Sequence, residues 1–203
     1  MKPVMLVETV LVTSLFAVAW NIPSFRSILS APPDPLSRPA GFSPGVSGLS
    51  NTVNLGLHPQ DTTAIQQTLS LYPFIIDSGE WDQLGRVLHP DIWANYSSYV
   101  GILQGIDNVE AALKRALAHV TSQHALSTQV IDVAPDGLTA HSLTYYLATH
   151  WGKGKYFGQA LWTWATYDDE WIKNPETGEW RIIKRTNHQA GPWFGNTAVL
   201  GFS

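Results

Sequence analysis

The sequence contains no cysteine, which excludes disulfides, thiol nucleophiles and thiolate metal sites. Charged residues are also scarce, at 14% of the 203 residues, and the net charge is −4 at pH 7. Such a chain lacks the basic surface that binds phosphate backbones, so we expect no nucleic-acid partner. The seven histidines show no paired spacing typical of metal ligands, and no glycine-rich phosphate loop occurs. We therefore predict neither a metal nor another cofactor.

Aromatic residues, in contrast, are abundant. Nine Trp, seven Tyr and seven Phe supply more aromatic surface than a domain of this size needs for its core. Part of that surface is expected to line an apolar cavity, although a place in an aromatic core is an equally good interpretation for any single ring.

The first 20 residues form a separate segment. Lys2 precedes an apolar stretch, residues 4–20, that Glu8 interrupts, and Ala17-Val18-Ala19 has the small-x-small form of a cleavage site. This pattern indicates a signal peptide, or an uncleaved signal anchor that associates with a membrane through residues 4–20, because the stretch is close to the roughly 17 residues that span a bilayer. Either interpretation predicts the secretory pathway, with the protein secreted or anchored to an endomembrane.

Residues 21–60 are rich in Pro, Ser and Gly, and such a composition cannot bury enough apolar surface to fold. They are interpreted as a linker. The predicted folded domain covers residues 61–191, and residues 192–203 form a C-terminal tail.

Helical patterns occupy the first half of the domain. Asp61 caps a predicted helix that ends at Asp77, and Ser78 is the natural cap of a short helix over 80–88. His89-Pro90 ends that helix, since the residue before a proline resists the helical conformation.

A capping box, Asp107 with Glu110, opens a third predicted helix that runs through Val120. The extended segments are 92–98, 99–103, 123–133, 138–151, 156–171 and 179–189. Helices followed by long antiparallel strands are typical of an α+β domain in which helices cover one face of a curved sheet.

The order of these elements and several short motifs resemble the SnoaL-like, or nuclear-transport-factor-2-like, superfamily, and within it scytalone dehydratase. The motifs are Ile76-Asp77-Ser78-Gly79-Glu80-Trp81-Asp82, Ala94-Asn95-Tyr96, the capped helix at Asp107, and Ser122-Gln123-His124. The resemblance spans residues 62–189. It implies a cone-shaped, curved antiparallel or mixed sheet with three N-terminal-side helices, which together enclose a deep apolar pocket.

The same resemblance implies an acid–base pair in that pocket. In scytalone dehydratase an Asp at the end of the first helix works with a His after the third helix, and these positions match Asp77 and His124. The water-holding Tyr of that family matches Tyr96, and its second His corresponds to His150. Its pocket Asn falls near Thr163 or Trp164, whereas its Tyr beside the Asp is Ile76 here.

The chemistry of the pair agrees with this assignment. A carboxylate that holds one imidazole nitrogen fixes the tautomer and leaves the other nitrogen free to transfer a proton near neutral pH. Structural alternatives remain, because Asp77 could simply cap the short helix and His124 could be a hydrogen-bonded strand residue. Asn95-Tyr96-Ser97 is also a glycosylation sequon, which would place Tyr96 on a surface strand.

The strand from Tyr156 to Tyr167 is predicted to line the pocket. Alternation places Trp162 and Trp164 on one face and Thr163 on the other. The predicted substrate-binding residues are His150, Trp162, Trp164, Thr163 and Trp81. Neither face is strongly polar, so one should be covered by helices and the other by the cavity or by a partner chain, in a homodimer or homotrimer.

These features predict a cofactor-independent acid–base enzyme of secondary metabolism that acts on a small, apolar, oxygenated polyketide or terpenoid intermediate. Dehydration, isomerisation, cyclisation and epoxide opening all remain open, because the same acid–base pair serves each of them. The alternative is a non-catalytic carrier that needs the cavity but not the pair. A distance between Asp77 and His124 well beyond the roughly 3 Å of a hydrogen bond would favour the carrier.

Overall fold

The computed structural model describes residues 58–96 and 100–201, together with Val46 and Leu49. The predicted signal segment and nearly all of the predicted linker lie outside the described residues. None of the helices in the described part of the chain combines the length and apolar character that crossing a bilayer requires.

In the described part of the chain, the two α-helices precede the four long strands. They are α1 (Pro59–Ser78), a 3-10 helix (Trp81–Arg86), β1 (Leu88–Asn95), β2 (Ile102–Gln104), α2 (Ile106–Leu117), β3 (Val120–Val133), β4 (Thr139–Gly152), a 3-10 helix (Gly154–Tyr156), β5 (Ala160–Lys173), β6 (Trp180–Gln189), β7 (Phe194–Gly195) and a 3-10 helix (Thr197–Leu200).

These strands form one curved, unclosed sheet in the order β2-β1-β6-β5-β4-β3, and β7 pairs with β5. All neighbours are antiparallel except β1 and β6, which are parallel. The sheet is therefore mixed, and the predicted α+β cone is confirmed. Of the three predicted helices, the middle one is a 3-10 helix.

Helix α1 packs an apolar stripe onto the sheet. Its buried face follows helical spacing and comprises Ile65, Leu69, Tyr72, Ile75 and Ile76. The helix begins at Pro59, earlier than predicted, because proline suits the first helical position. Asp61 therefore lies in the first turn and caps nothing; its carboxylate accepts hydrogen bonds from Lys173 (2.7 Å) and Trp180 (2.9 Å). Gly79 ends the helix with φ at 76°.

The region after α1 differs from the prediction. Ser78 belongs to α1 and caps no second helix, and strand β1 already begins at Leu88. His89-Pro90 lies inside this strand. The register between β1 and β6 shifts between Leu88 and Trp93, and a proline is tolerated at such an irregularity because no ladder hydrogen bond is needed there.

The predicted capping box also does not form. Helix α2 begins at Ile106 after Gly105, with no side-chain cap. It ends at Leu117 because Val120 is already paired with Gly152 in the sheet. Strand pairing decides this boundary, and the helical pattern alone could not show it.

The predicted C-terminal tail is instead structured over 192–201. It contributes β7 and the last 3-10 helix, in which Val199 and Leu200 are buried. These two side chains cluster with Val120 and Leu161, so the segment packs against the sheet.

Candidate active site

The end of α1 and the start of β3 meet at a carboxylate. Asp77 lies in the last turn of α1, and its Oδ1 accepts hydrogen bonds from Ser122 Oγ and from His124 Nδ1, each at 2.7 Å. Its Oδ2 accepts the backbone N–H of His124, also at 2.7 Å. The imidazole is therefore fixed in position and tautomer, and its Nε2 is left for another group.

The charge of Asp77 is stabilised by these contacts. Burial raises the pKa of the carboxyl, but the hydrogen bonds and charge of His124, with the hydroxyl of Ser122, outweigh burial and lower the pKa below its usual range. The carboxylate is ionised at neutral pH. An imidazolium that formed at His124 would lie directly against it.

His124 reaches from β3 into a cavity of about 100 Å³ between α1, α2 and the concave face of the sheet. The lining is mostly apolar and aromatic, with a few polar groups: Tyr72, Ile76, Tyr96, Val100, Leu113, Ala116, Leu117, His124, Tyr146, Ala148, His150, Thr163, Tyr167, Asn187, Gln189, Trp193 and Leu200. Apolar walls with a few convergent polar groups are typical of small-molecule sites.

A second imidazole lies beside the first. The ring of His150, on β4, is edge-on to that of His124 with centroids 5.5 Å apart. Burial, with the nearby His124, lowers the pKa of His150 to about 4, so His150 is neutral at neutral pH. Its Nδ1 is buried and has no hydrogen-bond partner among the described residues. His150 therefore places no second positive charge in the cavity.

Tyrosine hydroxyls form another part of the wall. Tyr96 directly follows β1, and its hydroxyl lies 3.0 Å from that of Tyr72 on α1. Tyr146 stacks on Tyr167 with ring centroids 4.1 Å apart and donates a hydrogen bond to Asn187. Burial raises the pKa of Tyr146 to about 12. The Tyr146 proton is used by Asn187, whereas one proton of the Tyr72–Tyr96 pair is left to donate to an oxygen of a bound molecule.

A buried ion pair supports these rings. Arg185 donates from Nε and Nη2 to both carboxylate oxygens of Asp169, at 2.7 and 2.8 Å. Its guanidinium carbon lies 3.9 Å from the centroid of the Tyr167 ring and 4.3 Å from that of Tyr72. Two tyrosines of the cavity wall are thus held by one planar cation.

The structure brings most of the predicted site residues together. Asp77 and His124 are hydrogen-bonded, and Tyr96, His150 and Thr163 line the same cavity as His124. Asp77 itself does not line this cavity and is connected to it through its hydrogen bond to His124. Thr163 also accepts a hydrogen bond from Gln189 at 2.8 Å.

Three predicted substrate-binding residues lie elsewhere. Trp162 and Trp164 alternate with Thr163 along β5, so they point to the opposite face of the sheet, where Trp164 is 44% exposed. Strand β5 also begins at Ala160, after a 3-10 turn that contains Tyr156. Trp81 packs against the hydrophobic core beside Gly79 and is absent from the cavity lining.

Several cavity residues were not predicted. Tyr72, Tyr146, Tyr167, Asn187 and Gln189 all line the cavity. Asn187 and Gln189 are polar side chains two apart on one strand, and that alternation marks a shared face. Tyr72 lies in the apolar stripe of α1, where its hydroxyl is the one polar signal.

A curved, unclosed sheet with helices over its concave face is the architecture of the nuclear-transport-factor-2-like class. The model of the SnoaL-like domain matches residues 58–186, and the chain belongs to that family. It is 31% identical over 130 residues to the uncharacterized protein Rv2910c of Mycobacterium tuberculosis, which covers 62% of this chain and 82% of the relative.

Solved structures share the fold at low identity. Kfla4162 from Kribbella flavida has a TM-score of 0.62 at 17% identity, covering 70% of this chain and 98% of that one. A candidate scytalone dehydratase from Novosphingobium aromaticivorans has a TM-score of 0.60 at 18% identity, covering 69% of this chain and 90% of that one. A hexachlorocyclohexane dehydrochlorinase, LinA type 2, has a TM-score of 0.58 at 14% identity, covering 68% of this chain and 90% of that one.

Proposed function

We propose that this protein is a cofactor-independent acid–base enzyme in which His124 transfers the proton and Asp77 orients His124. The observation that carries the proposal is the 2.7 Å hydrogen bond between Asp77 Oδ1 and His124 Nδ1 at the wall of an apolar cavity. A carrier needs no such pair, and His124 faces the cavity with a side chain only 9% exposed. An apolar site also strengthens the electrostatic effect of each polar group in it.

Elimination is the reaction that we propose first. His124 Nε2 removes a proton from the carbon next to a carbonyl, and the C–H electron pair forms an enolate. The enolate then re-forms the carbonyl and expels a hydroxyl from the β-carbon, which takes the proton from the imidazolium and leaves as water. A carbon–carbon double bond forms, and His124 returns to its neutral state. The ionised Asp77 stabilises the imidazolium between the two steps.

The other polar groups fit this sequence. Tyr96 can donate a hydrogen bond to the enolate oxygen when Tyr72 donates to Tyr96, because the Tyr96 proton is then free for the substrate. One preorganised donor to an oxyanion stabilises the transition state by about 3–4 kcal/mol. His150 is neutral, so it does not repel the imidazolium.

The cavity favours a small, mostly apolar substrate with one or two oxygens, such as a polyketide or terpenoid intermediate of secondary metabolism. Two of the similar structures are named for a dehydratase and a dehydrochlorinase, which supports elimination as the first reaction to test. Isomerisation, cyclisation and epoxide opening use the same proton transfer and are the next reactions to test.

The test separates proton transfer from product formation. A panel of cyclic β-hydroxy ketones is incubated with the protein in D₂O; NMR measures exchange of the α-proton, and mass spectrometry measures loss of water. We expect both reactions with the wild type and neither with Asp77→Asn or His124→Ala. Asp168→Asn is the matched control, because it removes a carboxylate–imidazole bond of the same length outside the cavity.

The alternative function has a clear signature in the same experiment. If the ketones bind, as shown by line broadening of their NMR signals, but neither exchange nor eliminate, and if His124→Ala alters only affinity, the protein is a carrier and the enzyme proposal fails.

A further inference from the structure

A short segment at the start of β3, Ser122-Gln123-His124, supplies every hydrogen bond that the described residues make to the Asp77 carboxylate. His124 donates twice, from its ring and from its backbone, and Ser122 Oγ donates once. Side chains alternate along the strand, so Ser122 and His124 point to the same side, whereas Gln123 between them is exposed. The Ser122 hydroxyl is therefore the one donor that a substitution can remove while His124 stays intact.

The Asp77 carboxylate also borders a second cleft, which has a volume of about 250 Å³. Its lining includes Asp77, Ser122, Lys114 and Lys153, and none of these four residues lines the cavity that contains His124. The Asp77 side chain is 18% exposed. Water and the ammonium group of Lys153 are alternative donors in this cleft, because both bind carboxylates readily. Asp77 thus lies between two competing sets of donors.

We propose that Ser122 is a positioning residue whose hydroxyl holds the Asp77 carboxylate on His124 and prevents it from turning toward the second cleft. Rotation about the Cβ–Cγ bond of an aspartate is broad, so one donor to each oxygen defines its orientation poorly. Ser122 adds a second donor to Oδ1, at the same 2.7 Å as His124 Nδ1. Its single proton is used by Asp77, so Ser122 orients the carboxylate and does not bind the substrate.

The kinetic consequence of this role rests on the proposed function. If Asp77 turns away, the Nδ1 proton of His124 loses its acceptor, and the imidazole can carry its proton on Nε2 instead, the nitrogen at the cavity. A neutral ring that is protonated at Nε2 cannot remove a proton from a substrate. The loss should therefore appear in turnover and not in the Michaelis constant, because Ser122 does not line the cavity.

The first measurement is steady-state kinetics of the full chain with the β-hydroxy ketone on which the wild type is most active. Ser122→Ala should lower turnover about tenfold, with a Michaelis constant within about twofold of the wild-type value. Ser122→Thr keeps a hydroxyl and should restore turnover to within about threefold. Ser127→Ala is the matched control, because it removes a hydroxyl of the same strand that donates to the backbone oxygen of Tyr145. It should have wild-type turnover.

The second measurement needs no turnover. Nitrogen NMR of the isotopically labelled full chain shows which ring nitrogen of a neutral histidine carries the proton, and the His124 signals are those missing from His124→Ala. We expect the proton on Nδ1 in the wild type, Ser122→Thr and Ser127→Ala. In Ser122→Ala the fraction protonated at Nε2 should be at least about threefold larger. Circular dichroism shows that each variant is folded.

The outcomes separate the role of Ser122 from the proposed function. A folded Ser122→Ala protein with the wild-type proton position on His124 would overturn the proposal, as would one that keeps wild-type turnover. Failure of Ser122→Thr to restore the proton position would overturn it too. A wild type with no turnover of any ketone would count against the proposed function alone, because the proton position on His124 still tests Ser122.

Discussion

Two carboxylate–imidazole hydrogen bonds of the same length lie on opposite faces of one sheet. On the concave face His124 Nδ1 lies 2.7 Å from Asp77, and on the convex face His141 Nε2 lies 2.7 Å from Asp168. Both carboxyl groups have pKa values below their usual range, since the bonded imidazoles outweigh the effect of burial. Distance and charge alone therefore do not distinguish them.

Their surroundings do. Asp77 also accepts a backbone N–H and the Ser122 hydroxyl, so one His124 nitrogen is fixed and the other lies at an apolar cavity. Asp168 is shared by two imidazoles, and neither of them lines that cavity. A hydrogen-bonded pair becomes a candidate catalytic pair only where its free nitrogen can meet a substrate in an environment with little water.

The largest expected effect is a loss of turnover when the pair on the concave face is mutated, and not when the pair on the opposite face is mutated. Asp77→Asn and His124→Ala should each reduce turnover by about 10⁴-fold, the upper range for losing a general acid–base group. Asp168→Asn should leave turnover unchanged. The double variant should lose little more than either single one, because groups that act as a unit are non-additive. Steady-state rates for the four proteins measure this, and equal losses at Asp77 and Asp168 would abolish the distinction between the two pairs.

The next effect concerns the tyrosine pair. Tyr96→Phe should reduce turnover by about 10²–10³-fold if it removes one oxyanion donor. Tyr72→Phe should cost less, about tenfold, because Tyr72 acts by orienting Tyr96. The Michaelis constant and turnover are measured separately, since an orienting role lowers turnover while a wall contact raises the Michaelis constant. A Tyr72→Phe loss that adds fully to that of Tyr96→Phe would show that the hydroxyls act independently.

A smaller effect concerns stability and pH. The folded-state pKa of His150 is about 4, below the ordinary value of 6.5, so the unfolded chain binds more protons between these values. The free energy of unfolding is therefore highest above about pH 6.5 and decreases as the pH falls. At pH 4 the contribution of His150 has decreased it by about 3 kcal/mol. His150→Gln should reduce this loss, as measured by urea unfolding between about pH 4.5 and 7. An unchanged pH slope would mean that the pKa of His150 is the same in the folded and the unfolded protein.

The pair on the convex face should show the opposite sign. The hydrogen bond from Asp168 raises the pKa of His141 despite burial, so the pair stabilises the fold at low pH and loses this effect as pH rises through the folded value. His141→Gln should cost roughly 1 kcal/mol near pH 5 and less near pH 9, at fixed protein concentration. A cost that grew with pH would contradict the assigned direction.

Much of the concave site could be predicted because its residues lie at element ends. Asp77 lies in the last turn of α1 and His124 lies in the first part of β3, and helical spacing and strand patterns locate both positions to within a few residues. The orientation of β5 could not be obtained in this way. Alternation shows that Trp162 and Trp164 share a face, but pairing with β4 and β6 decides which face meets the cavity.

Long-range contacts explain the other differences. Asp61 looks like a helix cap in sequence, but Lys173 and Trp180 bind its carboxylate from strands more than a hundred residues away. The Arg185–Asp169 ion pair joins β6 and β5, and nothing in the sequence of either strand indicates that these two residues are paired. Such contacts depend on which strands become neighbours, and local patterns do not contain that information.

The family match ends at residue 186, whereas the cavity wall continues through Asn187, Gln189, Trp193 and Leu200. The candidate proton-transfer residues Asp77 and His124 thus lie within the shared segment, and one wall of the cavity lies beyond it. Selection could reshape that wall through β7 and the last 3-10 helix while Asp77 and His124 stay in place. In this way one proton-transfer reaction could serve substrates of different shapes in different relatives, with the sequence changes confined to the C-terminal residues.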